Sequence, residues 1–191
     1  MKVVNFAIGL VGAIILLSCQ QNDDIPPRAS AYLINGSVQS NNLSYKQTVF
    51  DGGSNGNINV FNRTDKTLYL QSFKNGVDDN DGFWTIRMNE IDIENLTLPY
   101  SLTGAEGSIT WVDESIKKLQ APCASSDVLC FYSGVGVDEV EITINNIEND
   151  IITGEFKGTL NHIRVNPSVI RDTDDFVEVS NGKFSIKFQS K

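Results

Sequence analysis

What the sequence has little of already limits what the protein does. It has 191 residues with one histidine and three cysteines, and its 15 Lys and Arg residues are outnumbered by 24 Asp and Glu residues. The net charge of −9 and the lack of a Lys/Arg run argue against binding nucleic acid and against electrostatic docking on anionic lipid. With a single histidine, a zinc site would be short of ligands. We therefore expect no nucleic-acid partner, no metal and no cofactor.

Motifs of common catalytic sites are also scarce. His-Glu-x-x-His and a phosphate-binding loop do not occur. The only histidine, His162, follows a strand pattern and has no obvious catalytic partner nearby, which is typical of a solvated loop residue. A hydrolase that uses two carboxylates needs no local spacing, so that alternative stays open.

The N-terminus combines a positive end with an apolar run. Met1-Lys2 precedes Val3–Leu17, about fifteen residues or roughly 22 Å of helix, which is too short for an ordinary membrane span. This pattern predicts a signal peptide over residues 1–18. The run ends in Leu16-Leu17-Ser18-Cys19, which resembles the bacterial lipobox. The resemblance implies cleavage before Cys19 and acylation of the new N-terminus, and the alternative is an ordinary signal peptide with a chance cysteine.

A polar stretch follows the lipobox. Residues 19–30 contain Asp23-Asp24 and Pro26-Pro27 and almost no apolar side chain. We interpret this segment as an extended tether that reaches at most about 35 Å from the lipid. Asp23-Asp24 resembles the surface-export tags of Bacteroidota lipoproteins, and the alternative is a plain solvated linker. Residues 31–191 then form a single folded domain.

Two cysteines remain in this domain. Cys123 and Cys130 are separated by six residues. In the oxidising compartment that a signal peptide implies, we expect a disulfide between them, worth about 2.5 kcal/mol for so short a loop. Two buried thiols are the alternative.

Apolar and polar residues alternate with period two through most of the domain, so each strand is expected to have one face in solvent. The clearest hairpin joins Val140–Ile144 to Ile152–Leu160 through a turn around Glu148-Asn149-Asp150. Asn35-Gly36 is a pair favoured in type I′ turns, so an opening hairpin is predicted there. The residues of Val177–Val179 and Phe184–Phe188 differ in parity, which predicts a tight turn or a bulge at Asn181-Gly182.

No helix of normal length competes with these strands, although Asp113–Leu119 suits one helical turn. We therefore predict an all-β fold, a single antiparallel meander of about nine or ten strands. Strands with one apolar face have to pack against each other. We expect the meander to close as a barrel-like sandwich rather than as a Greek-key immunoglobulin type.

The C-terminal strands also carry a resemblance. Residues 152–160 (ITGEFKGTL) and 177–188 (VEVSNGKFSIKF) are similar to the end of small uncharacterised Bacteroidota lipoproteins, which combine a lipobox, a tether and strands with Gly-x-Phe and Asn-Gly-x-Phe. The resemblance implies an outer-membrane lipoprotein with a β fold, facing the periplasm or the cell surface. It implies no catalytic residues, and the Cys123/Cys130 loop is not part of it.

Few residues suggest a binding site. Trp111, Tyr100 and Tyr132 have aromatic rings suited to a sugar or apolar ligand, whereas Trp84 lies on the apolar face of its strand and is expected in the core.

The acidic run Asp78-Asp79-Asn80-Asp81 suggests a calcium site with Asp78, Asn80 and Asp81 as ligands. The EF-hand pattern fails there because Val77 and Met88 occupy ligand positions. A hairpin turn is the alternative for this run and also for Asp172–Asp175.

We therefore expect a lipid-anchored cell-envelope domain that is not an enzyme and binds a small ligand, a glycan or an envelope protein. The alternatives are a carboxylate-based hydrolase acting on an envelope or extracellular polymer, and a structural accessory subunit. A side-chain-filled interior would disfavour a lipocalin-like carrier, and an open one would favour it.

Overall fold

The structure is a computed structural model and describes residues 32–46, 59–74, 82–102, 106–113, 129–136 and 139–191. Its strands are β1 (Leu33–Val38), β2 (Asn41–Lys46), β3 (Val60–Asn62), β4 (Thr67–Phe73), β5 (Gly82–Met88), β6 (Tyr100–Ser101), β7 (Gly107–Asp113), β8 (Leu129–Val135), β9 (Val140–Glu148), β10 (Ile151–Val165), β11 (Val169–Lys187) and β12 (Gln189–Ser190). One complete 3₁₀ turn, Ile93–Asn95, lies in these ranges. None of their helices could therefore cross a membrane. The predicted all-β class is confirmed, with twelve strands instead of nine or ten.

The strands form one sheet that is mostly antiparallel. Its order is β11-β1-β2-β4-β5-β7-β8-β10-β9-β6, with β3 beside β4 and β12 parallel to β3. The long strand β10 pairs with β11 along most of its length. On its other side β10 pairs first with β9 and then with β8. Neighbours in the chain are therefore mostly neighbours in the sheet, as in the predicted meander.

The described chain begins far from the turn between β10 and β11. Leu33 of β1 pairs with Ser185, near the end of β11. The turn follows Val165, which pairs with Val169 at the beginning of β11. Their partners on β10, Thr153 and Val165, are twelve residues apart, so at about 3.3 Å per residue Val169 and Ser185 are on the order of 40 Å apart along the sheet.

The opening hairpin is present, but the prediction of its turn at Asn35-Gly36 is wrong. Both residues lie inside β1, and the turn is Gln39-Ser40, with φ of 47° and 70°. Ile34, Gly36 and Val38 share the buried face of β1. Packing of this longer strand outweighs the local turn preference of the Asn-Gly pair, because strand preferences depend on context.

Two other predictions about turns are confirmed. The hairpin between β9 and β10 turns at Asn149 and Asp150, with φ of 52° and 62°. β11 continues through Asn181, which has φ of 52°, and the register against β10 shifts there, so a bulge forms instead of a tight turn. The bulge brings Val179 and Phe184 onto the same buried side despite their different parity.

The core lies along the inner face of the sheet, but some outer residues are buried as well. Trp84 and Ile86 of β5 are fully buried, as expected. Thr85 and Val112 project from the other face and are also buried. The expectation of one face in solvent per strand is therefore wrong for this part of β5 and β7. Of the predicted helical turn, Asp113 ends β7, and residues 114–119 lie outside the described ranges.

Candidate functional site

Two of the three aromatic residues predicted to bind ligand lie together in the interior. Trp111 and Tyr132 face each other on β7 and β8, with stacked rings whose centroids are 5.9 Å apart. They are 7% and 5% exposed, so they form no open aromatic surface. Tyr100 is paired with Ile144 of β9, at the end of the strand order. The three residues therefore do not form one site.

Trp111 and Tyr132 belong to a longer row. We call Trp84, Trp111, Tyr132 and His162 the interior row, because they are consecutive cross-strand partners on β5, β7, β8 and β10. Successive ring centroids are 6.0, 5.9 and 5.1 Å apart. Residues in such positions touch because register places them opposite each other, and they are far apart in sequence.

The row ends in a cluster of a phenol, an imidazole and a carboxylate, of which only the carboxylate of Asp175 is partly exposed. Tyr132 Oη donates to Asp175 Oδ1 at 2.9 Å, and His162 Nδ1 lies 2.9 Å from Asp175 Oδ2. Burial, followed by the hydrogen bond to Asp175, raises the pKa of Tyr132 well above its usual value. The phenol therefore keeps its proton, and the cluster fixes β11 against β8 and β10.

The placement of His162 corrects a prediction. It lies within β10 and is 3% exposed, not on a solvated loop. Asp172–Asp175 is not a hairpin turn either, because these residues lie inside β11. Their register against β10 jumps between Phe176 and Asp172, and this irregularity accompanies the contact of Asp175 with His162. A period-two pattern gives no sign of such a bulge.

A second group of polar contacts lies beside Trp111. Its Nε1 donates to Tyr45 Oη at 3.4 Å, and Tyr45 Oη donates to Asp113 Oδ2 at 3.3 Å. Lys74 Nζ is 3.6 Å from the same carboxylate oxygen. Burial is the main cause that raises the pKa of Tyr45 to about 12. The hydrogen bond from Trp111 lowers this pKa, and the negative charge of Asp113 raises it.

The outer face of the sheet carries concave surface. Three adjoining cavities of about 480, 290 and 350 Å³ all include Lys183 of β11 in their lining, and we call them together the outer groove. They extend from β9 and β10 across β11 to β1 and β2. The groove is thus accessible where the interior row is not.

Charges in the outer groove are balanced. Lys157 Nζ is 2.9 Å from Glu141 Oε2, and Lys183 Nζ is 4.0 Å from Glu155 Oε1. The remaining polar lining is mostly amide and hydroxyl, including Asn35, Asn42, Asn145, Asn181, Ser44 and Thr153. The groove therefore offers hydrogen-bond donors and acceptors in similar measure, without a net charge.

Two phenylalanines and two glycines of the buried face also border the groove. Phe156 and Gly182 line the largest cavity, and Phe184 and Gly154 line another. A Cβ at Gly182 would come within 2.6 Å of Phe156 Cδ2, so only glycine lets the backbone lie this close to the ring. The groove therefore borders the core without exposing a ring, because Phe156 and Phe184 are 3% and 2% exposed.

Several predicted residues lie outside the described ranges. They are Cys19, Cys123 and the calcium candidates Asp78, Asn80 and Asp81. Residues 52–56, whose spacing matches Gly-x-Ser-x-Gly, also lie outside these ranges. Cys130 is buried on β8, and its disulfide with Cys123 stays a prediction. Within the described part of the chain, no group of three or more His, Cys, Asp or Glu side chains could hold a metal ion.

Comparison of the chain with protein-family models, curated proteins and solved structures gives no match. The resemblance to Bacteroidota lipoproteins therefore stays a prediction, and the case for a function depends on the geometry.

Proposed function

We propose that the protein is a lipid-anchored cell-envelope protein whose β-domain is a non-enzymatic binding module for a neutral, hydroxyl-rich ligand, such as a glycan. The observation that carries the proposal is the outer groove, in which three cavities share Lys183. Its walls combine amides, hydroxyls and two Lys–Glu pairs. A glycan presents many hydroxyl groups, each both a donor and an acceptor, and such walls complement them.

The interior row supports a surface site over an internal one. Trp84 has no exposed surface and contacts Tyr45, Trp111 and Phe156 at centroid distances of 6.4, 6.0 and 5.4 Å. These rings occupy the interior, which disfavours a lipocalin-like carrier.

We also propose that the sheet closes on itself as the barrel-like sandwich that the sequence predicts. Support comes from β11, which pairs with β10 on one side and with β1 on the other. From β1, pairings continue through β2, β4, β5, β7 and β8 back to β10. The weakest connection in this series is that of β2 with β4, a single pair between Lys46 and Phe73.

The proposed anchor is the acylated Cys19, in the outer membrane. The tether then joins the domain at β1, on the order of 40 Å along the sheet from the β10–β11 turn. Replacing Cys19→Ala should release the protein from the membrane fraction, and unchanged fractionation would refute the anchor. Protease treatment of intact cells then distinguishes the periplasmic from the cell-surface side.

A glycan array with the purified full chain tests the binding proposal. We expect the wild type to bind one class of neutral glycan, and Lys183→Ala to weaken that binding. Lys66→Ala is the matched control, because Lys66 also forms an exposed ion pair, with Asp92 at 3.3 Å, but lies outside the groove. Equal binding by all three proteins, or none by the wild type, would contradict the proposal.

The same experiment addresses the hydrolase alternative, since Glu141 and Glu155 line one cavity. Cleavage of the bound glycan that is abolished by Glu155→Gln would show that the protein is a hydrolase and not a binding module. If the protein only binds the glycan, the glycan is recovered intact.

A second candidate function is an accessory subunit that docks on an envelope partner. Exposed apolar side chains near the β10–β11 turn favour it: Leu129, Val169 and Ile170 are 52%, 69% and 47% exposed. Leu129, Val165 and Val169 are neighbours across β8, β10 and β11. Cross-linking in cells that is lost in Val169→Asp but not in Lys183→Ala would support this candidate.

A further inference from the structure

Four buried side-chain polar atoms in the described ranges lack a hydrogen-bond partner, and two of them belong to cross-strand partners in the core. These two are Ser72 Oγ on β4 and Trp84 Nε1 on β5. Both residues are 0% exposed, so bulk water does not reach them. Ser72 is the cross-strand partner of Trp84, and both side chains therefore project from the same face of the sheet. Two residues that each have an unpaired atom thus lie opposite each other in the interior.

The other indole and the phenols beside it are bonded, whereas Thr85 Oγ1, on the opposite face of β5, also lacks a partner. The other indole of the row, that of Trp111, donates to Tyr45, and Tyr45 in turn donates to Asp113. Further along, Tyr132 donates to Asp175. Burial by itself therefore does not explain why Trp84 is unpaired.

An unpaired buried donor loses its hydration without replacement, and nearly all buried polar groups in proteins are bonded to protein or to ordered water. Trp84 Nε1 can only donate, whereas the Ser72 hydroxyl can donate and accept. A single group that bonds to both atoms must accept a hydrogen bond from Trp84 Nε1 and also form one with the Ser72 hydroxyl. One oxygen atom meets both requirements.

We propose that Ser72 and Trp84 form an internal site for a single hydrogen-bonding oxygen. A resident water can supply this oxygen, and so can the hydroxyl or carbonyl group of a small ligand. Ser72 and Trp84 supply two partners, and the hydroxyl of Tyr45, whose ring centroid is 6.4 Å from that of Trp84, is already bonded to Trp111 and Asp113. A buried water needs two to four such partners.

NMR of the ¹⁵N-labelled full chain in detergent tests the site directly. The sequence has two tryptophans, so the spectrum has two indole N–H signals, and Trp84→Phe identifies one of them. We expect a rotating-frame Overhauser contact from the Trp84 indole proton to a long-lived water. If a ligand supplies the oxygen, the contact is instead to ligand protons, with added mass in native mass spectrometry. Trp111, whose indole is bonded to Tyr45, is the internal control and should show neither.

Ser72→Ala sharpens the test without removing a large side chain. We expect it to shift the Trp84 indole signal and to weaken its contact with the oxygen donor, while the Trp111 signal stays in place. Ser133→Ala is the control, because Ser133 Oγ is bonded to Thr110 and Ile109 on the outer face. The proposal is overturned if the Trp84 indole proton contacts neither water nor ligand, or if Ser72→Ala leaves its signal unchanged.

Discussion

The interior row and the outer groove both contain paired polar groups, but the pairs differ in what surrounds them. His162 is 3% exposed and lies 2.9 Å from Asp175. Lys157 and Glu141 of the groove are 62% and 65% exposed. A buried group that loses its partner pays the full cost of lost hydration, whereas an exposed ion pair contributes only about 0–1 kcal/mol. The row is therefore suited to holding strands together, and the groove to exchanging its contacts for a ligand.

The largest effect should follow a change in the row. Trp84→Ala removes a fully buried ring that contacts three others, and we expect it to lower the free energy of unfolding by about 3–5 kcal/mol. Arg87→Ala is the control on the exposed face of the same strand and should change it by less than about 0.5 kcal/mol. Urea unfolding followed by circular dichroism measures both. If both variants lost a similar free energy of unfolding, the buried and exposed faces of β5 would not differ in their contribution to stability.

A smaller effect should appear at alkaline pH. The folded state raises the pKa of Tyr45 from 10.0 to about 12, so between these values the unfolded chain loses a proton that the folded chain keeps. Stability is therefore fully present below pH 10 and should fall as pH rises toward 12, by up to about 1.4 kcal/mol per pH unit for this group. Urea unfolding over this range measures the slope.

Tyr45→Phe should make that slope shallower, because it removes one of the phenols involved. Tyr69→Phe makes the same chemical change on the partly exposed face of β4 and serves as the control. A slope that is equally steep in Tyr45→Phe and in the wild type would show that Tyr45 does not cause it.

The smallest effect should come from the groove. Lys183→Ala breaks an exposed ion pair of 4.0 Å with Glu155, so we expect the free energy of unfolding to change by less than about 0.5 kcal/mol. Thermal unfolding of this variant beside the wild type measures the change. A large loss would mean that Lys183 supports the fold, and its effect on glycan binding could then not be assigned to the groove.

Predictions based on alternation and turn residues were confirmed where residues close in the sequence determine the structure. The β9–β10 hairpin follows from two regular alternations around Asn149-Asp150, and the bulge at Asn181 follows from a change of parity. The Asn35-Gly36 turn failed because the same dipeptide also fits a strand whose buried face continues through Gly36.

The site was harder to predict than the fold. Trp84 was expected in the core and is there, but His162 was expected in solvent and is buried. Its burial depends on Tyr132, thirty residues earlier in the sequence, and on Asp175, thirteen residues later. The register that joins these three residues is not visible in the alternation of any one strand.

The sequence by itself determined the all-β class and the order of most strands, because alternation and turn residues act between neighbours in the chain. Only the tertiary structure decided which residues meet: the interior row, the unpaired Ser72 and Trp84, and the cavities around Lys183. These depend on how strands pair across the sheet. A shift of one residue in that pairing would move every side chain to the opposite face.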